Sequence, residues 1–156
     1  MKTTHYISLI TVILMGLFFL TGIEKVWHHR SFTIQLGRQP LPEWMKAMLE
    51  WGLPLAELAI VGLLAAGRTR LIGLWSSAVA MVCFAGYTAY AATEPLGYVP
   101  CACGKVFSSL SWGQHFWVNM AFAALSIAGI WLHRTQRSNE TTMDINDNKN
   151  IAQSPG

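Results

Sequence analysis

The sequence predicts an all-α integral membrane protein, a four-helix antiparallel bundle followed by a disordered polar tail. Three observations carry this. Hydrophobic residues make up 53% of the chain and charged residues 12%, about half of the ~25% charged residues of a soluble domain. That leaves too little polar surface to cover a water-facing globule. The apolar residues fall into long blocks, not into the short alternating runs of a soluble core. The length, 156 residues, suits one domain.

The first helix is expected over 6–23, a block with no charged residue. About 18–20 apolar residues cross the hydrocarbon core at ~1.5 Å each. Lys2 precedes the block, so a signal peptide competes with a retained helix. The block is longer than a usual signal core and no A-x-A site follows it. Glu24-Lys25-Val26-Trp27 reads as an interfacial anchor, and a retained helix is the reading taken.

A polar connection with His28, His29, Arg30, Arg38 and Pro40 follows. The second helix is expected over 42–67. Pro42 and Glu43 suit a first turn, one by its fixed φ and the other by the helix dipole. This helix is the least uniform, holding Lys46, Glu50, Pro54 and Glu57. After the basic turn Arg68-Thr69-Arg70, the third helix spans 71–92 without a charge. Two Pro and two Gly make a helix unfavourable in the next loop, which carries Cys101-Ala102-Cys103-Gly104. The fourth helix spans 111–133. A transmembrane domain thus occupies 1–137, and 138–156 is polar, without periodicity, and expected to be disordered.

The formal charge of +3 is small and spread out. It excludes the basic stripe of a nucleic-acid binder, and the expected partner is the lipid bilayer. Four spans put both termini on one side. Lys2, Arg68, Arg70, Arg134 and Arg137 lie there; Lys25, Arg30, Arg38 and Lys105 lie on the other, with Lys46 just inside a helix. The count is nearly even, and the short Arg68–Arg70 turn tips it toward cytoplasmic termini. The expected location is a bacterial inner membrane, with the Cys pair on the periplasmic face.

Cys101 and Cys103 lead the candidate site. A thiol becomes chemically useful when it reaches a partner thiol, an oxidant or a soft metal as thiolate. Bridging two Cys one residue apart closes a small strained ring, and strained disulfides exchange readily. A structural disulfide pinning the loop and a metal site remain alternatives. The spacing is not that of a zinc finger, and no metal site is assigned. His28 and His29 are weak metal candidates, because adjacent residues on a helix point apart.

His115 and Asn119 share a helical face with Trp112 nearby. A His near a thiol can move its proton; interfacial packing with Asn as helix–helix glue is the plainer reading. Glu57 is the costliest residue, at ~3 kcal/mol for a charge near the bilayer centre. It is expected to face the bundle, either as an intramembrane acid or in a structural pair with Lys25 or Tyr87. Pro54 frees the carbonyl of Glu50 and opens a polar notch. Cys83 is read as packing, too deep to meet Cys101.

These residues, in order, resemble the MauE/DoxX-like family of redox-associated membrane proteins, closest to its methylamine utilisation (MauE) branch. Gly16-Leu17-Phe18-Phe19-Leu20-Thr21-Gly22-Ile23-Glu24-Lys25 is like the family's G-x-x-F-x-x-G-x-x-K segment, with Phe32 further on. Leu53-Pro54-Leu55-Ala56-Glu57-Leu58 is like its L-P-x-x-E-L, with Gly62 and Gly67 after it. Cys101-Ala102-Cys103-Gly104 is like its C-x-C-G, and Trp112, His115 and Asn119 like W-x-x-H-x-x-x-N. The resemblance covers residues 7–133. It implies a four-helix membrane bundle that acts in maturing a disulfide-rich periplasmic protein beside a thioredoxin-like partner. It also implies Lys25, Glu57, Cys101 and Cys103 as site positions.

The leading expectation is therefore a membrane component of envelope thiol–disulfide exchange, partnered by a thioredoxin-like or other envelope thiol protein. No cofactor is evident. A quinone as electron sink lacks the second Cys pair that would relay electrons to it. A non-catalytic scaffold or assembly subunit is the alternative, with a metal-handling or transport protein behind it.

Overall fold

The computed structural model describes residues 2–39, 41–93 and 111–152. Their order is α1 (Lys2–Trp27), α2 (His29–Gly37), α3 (Glu43–Ala65), α4 (Arg70–Thr93) and α5 (Trp112–Ala152). Four segments are long and apolar enough to cross a membrane: Thr4–Trp27, Glu43–Ala65, Arg70–Thr93 and Trp112–Asn139. At ~1.5 Å per residue each exceeds the ~30 Å hydrocarbon core. The described residues form a multi-pass, all-helical membrane bundle.

The four spans close a ring in which α1 touches α3 and α5, and α4 touches α3 and α5. One stripe of each turns inward at helical spacing: Ile10, Leu14 and Phe18 from α1, Ile60 and Leu64 from α3, Leu74, Ala78 and Met81 from α4, Ala123 and Ile130 from α5. The outward faces are apolar too, with Leu9, Val12, Phe19, Leu55, Val79 and Ile127 all exposed. An outward apolar surface suits lipid, not water. Exposed tryptophans mark both ends of the bundle: Trp27, Trp44 and Trp117 at one, Trp75 and Trp131 at the other. Such aromatic belts sit at membrane–water boundaries.

Gly73 lets α3 and α4 approach closely. A Cβ there would lie 2.8 Å from the Leu64 backbone nitrogen. Ser77 and Ser126, both fully buried, share a hydrogen bond of 3.0 Å between α4 and α5. At the α3–α4 turn, the Thr69 hydroxyl donates to the Leu63 carbonyl at 3.0 Å, so one C-terminal carbonyl of α3 keeps a partner.

Two expectations are corrected, for the polar connection and for Cys83. The polar connection after the first span contains a helix, α2, whose Phe32 and Leu36 are buried. Backbone bonds from His28 to Glu24 at 2.8 Å and from Phe32 to His28 at 3.0 Å bridge the break between α1 and α2, so the ladder is nearly continuous. The helices also differ in length from their apolar blocks, because hydrophobicity marks the hydrocarbon segment while the hydrogen-bond ladder runs beyond it. This shows most in α5, whose membrane-spanning part ends at Asn139 while its helix runs on to Ala152. There the Thr141 and Thr142 hydroxyls donate back to the Arg137 and Ser138 carbonyls. Finally, Cys83 is exposed on the outer face of α4 and is not packed between helices.

Candidate functional site

The strongest polar feature inside the bundle is an ion pair between α1 and α3. Lys25 and Glu57 are both buried, at 4% and 3% exposure. Lys25 Nζ donates to Glu57 Oε1 at 2.9 Å and Oε2 at 3.0 Å, and to the Thr21 carbonyl at 3.2 Å. An ammonium has three protons, and here each meets an acceptor. Helical geometry supplies the third, since Thr21 lies one turn before Lys25. The Thr21 hydroxyl in turn donates to the Leu17 carbonyl at 3.0 Å.

Gly22 sits beside this pair. A Cβ on it would stand 3.2 Å from Leu58 Cδ2 and 3.3 Å from Glu57 Cβ. Its missing side chain lets α1 close on α3, which brings Lys25 within reach of the carboxylate. Pro54, fully buried one turn before Glu57, has no N–H to offer the Glu50 carbonyl. The Glu50 side chain faces α2. It accepts a hydrogen bond from the Thr33 hydroxyl at 3.2 Å and pairs with His29 Nε2 at 3.4 Å. The His29 ring stacks on Trp51 with centroids 4.3 Å apart. These contacts tie α2 to α3.

All four spans contribute to a cavity of about 70 Å³ around the pair. Its polar lining is Thr21, Lys25, Glu57, His115 and Asn119; apolar walls include Leu53, Met81, Phe84 and Phe122. One water needs ~10–15 Å³ of such volume, so the cavity can be hydrated. His115 is 4% exposed. It lies in the first turn of α5, packed near Trp112 with ring centroids 6.3 Å apart, and Trp112 meets Tyr87 edge-on at 6.2 Å. The Tyr87 hydroxyl donates to the Gln39 side-chain oxygen, linking α4 to the segment after α2.

The structure thus gathers Lys25, Glu57, His115 and Asn119, drawn from three helices, into one cavity. Glu57 pairs with Lys25, while the hydroxyl of Tyr87 goes to Gln39. Cys101 and Cys103 lie outside the described residues. The chain that carries them leaves α4 at Thr93 and enters α5 at Trp112, only three residues before His115. Among the described residues, no three His, Cys, Asp or Glu side chains form a group able to hold a metal. His28 is exposed and His29 is engaged by Glu50 and Trp51. Thr21, Gly22 and Gln39 were not singled out as site positions from sequence.

A multi-pass helical membrane bundle with a buried lysine–glutamate pair inside it is the class that fold and site define. Within that class, the family model described as methylamine utilisation protein MauE matches residues 3–132. The chain belongs to the MauE family. No curated protein and no solved structure gives a significant match.

Proposed function

We propose that this protein is a membrane component of envelope thiol–disulfide exchange, serving the maturation of a partner protein, with Cys101 and Cys103 as the exchanging pair. The observation that carries the reading is the C-x-C pair in the link that enters α5 three residues before His115. That histidine lines the polar cavity with Lys25 and Glu57. Membership in the MauE family adds weight. Methylamine as a substrate is not part of the proposal.

In the exchange, the thiolate of one cysteine attacks a disulfide sulfur of the partner, a thioredoxin-like or other envelope thiol protein. One partner thiolate leaves and a mixed disulfide forms. The second cysteine then attacks its neighbour's sulfur, closing the Cys101–Cys103 disulfide and releasing the second partner thiolate. Two electrons pass to the partner, and the two protons lost by the cysteines end on its thiols. The reverse sequence oxidises the partner. His115 assists the proton transfer, and Glu57, held by Lys25, is the intramembrane acid beside it. In this reading the chain lies in a bacterial inner membrane, termini in the cytoplasm.

Single Cys101→Ser and Cys103→Ser variants, quenched in acid and run without reductant, test this. One of them accumulates a reductant-sensitive adduct with an envelope protein. Cysteines that stay reduced in the membrane, with no adduct in either variant, overturn the proposal. A scaffold role is the second reading, favoured by one observation. The three protons of Lys25 are all met inside the bundle, as a purely architectural pair requires.

A further inference from the structure

The end of the bundle opposite α2 holds a second cavity, about 180 Å³, where the start of α1, the α3–α4 turn and α5 meet. Its polar lining is Thr4, Arg68, Arg70, His133, Gln136 and Arg137. Three guanidinium groups share this wall, and among the described residues no Asp or Glu is on it. Like charges held together repel one another, and an anion relieves that repulsion.

A second observation points the same way. Arg70 Nε is shielded from solvent and has no hydrogen-bond partner among the described residues. A buried N–H of a charged group without an acceptor is costly. A planar guanidinium matches two oxygens of a phosphate or carboxylate. The level in the membrane narrows the anion. Arg134 lies over the ring of Trp75 at 5.6 Å, and Trp75 and Trp131 are both exposed. Aromatic residues of this kind stand at head-group depth. Ile7 and Leu71 complete the lining.

We propose that this cavity binds the phosphate of an anionic phospholipid head group, Arg70 and Arg137 gripping its oxygens. Phosphate oxygens are the shared chemistry of a lipid and of free phosphate; the head-group depth selects the lipid. The site is independent of the thiol chemistry and stands or falls without it.

The test uses the full chain purified in a neutral detergent. Phosphatidylglycerol or phosphatidylcholine is titrated in, and retained lipid is counted by native mass spectrometry. Phosphatidylglycerol is expected to bind at least tenfold more tightly than phosphatidylcholine. Arg70→Gln is expected to remove that preference, and Arg38→Gln, at the opposite end, to keep it. Should Arg70→Gln fail to fold, Arg68→Gln/Arg137→Gln, both at exposed positions, provides the same reading. Equal retention of the two lipids overturns the proposal, as does a preference that survives these Gln variants. Displacement of the lipid by millimolar inorganic phosphate assigns the site to a free anion and overturns the lipid assignment.

Discussion

Lys25 of α1 and Glu57 of α3 form a two-pronged ion pair, 2.9 and 3.0 Å long, inside a ring of four membrane helices. Removing one partner of such a pair leaves an uncompensated buried charge, at a cost of about 3–5 kcal/mol. Replacing both with apolar residues of similar volume leaves no charge behind. Lys25→Met and Glu57→Leu are therefore each expected to destabilise the bundle by about that amount. The double variant should recover most of the loss. Unfolding in mixed micelles, followed by circular dichroism, measures all three. Additive losses would refute the pairing as the dominant interaction of these residues.

The glycines of this bundle offer a graded series. A Cβ at Gly73 meets backbone at 2.8 Å, one at Gly22 meets the side chains of Leu58 at 3.2 Å and Glu57 at 3.3 Å, and one at Gly16 meets nothing within 4 Å. Backbone cannot swing aside, so Gly73→Ala forces α3 and α4 apart. Its expected cost is about 1–3 kcal/mol. Gly22→Ala should cost less, and Gly16→Ala nothing measurable. The same unfolding assay ranks them, and an equal effect at the three positions would remove close approach as the cause.

Ser77 and Ser126 form a hydrogen bond between α4 and α5 with no exposure to solvent. Interhelical hydrogen bonds in membranes contribute about 0.6 kcal/mol on average, because the alternatives also find partners. Ser126 already has one, since its hydroxyl donates to the Phe122 carbonyl at 2.9 Å. A Ser77→Ala and Ser126→Ala double-mutant cycle is expected to give a coupling of about 0.5–1 kcal/mol. Its sign separates glue from mere packing.

Much of this was readable beforehand for a physical reason. An acid in an apolar span must find a partner, which made Glu57 conspicuous and Lys25 a natural candidate. His115 and Asn119 are one turn apart, which put both on the face that lines the cavity. Other features left little trace. In a membrane the lipid side and the core side are both apolar, so the run around Cys83 did not disclose that it faces outward. Helix α2 buries only Phe32 and Leu36, one i,i+4 pair within a polar stretch. The bond between Tyr87 and Gln39 joins residues 48 apart in sequence, and nothing local announces it.

Sidedness yields the last prediction. Lys25 is buried within the bundle, so it drops out of the loop charges that orient a membrane protein. That leaves Arg30, Arg38, Lys46 and Lys105 toward the Cys pair, against Lys2, Arg68, Arg70, Arg134 and Arg137 at the terminal end. The balance favours the terminal end inside, and the brevity of the Arg68–Arg70 turn strengthens it. In spheroplasts carrying Cys83→Ser, a membrane-impermeant maleimide is expected to label reduced Cys101 and Cys103 before lysis. A cysteine introduced as Thr135→Cys, at an exposed position of α5, should label only after lysis when Cys101 and Cys103 are replaced by Ser. The opposite pattern would place the Cys pair in the cytoplasm, where thiols are kept reduced. It would remove the compartment on which the proposed exchange depends.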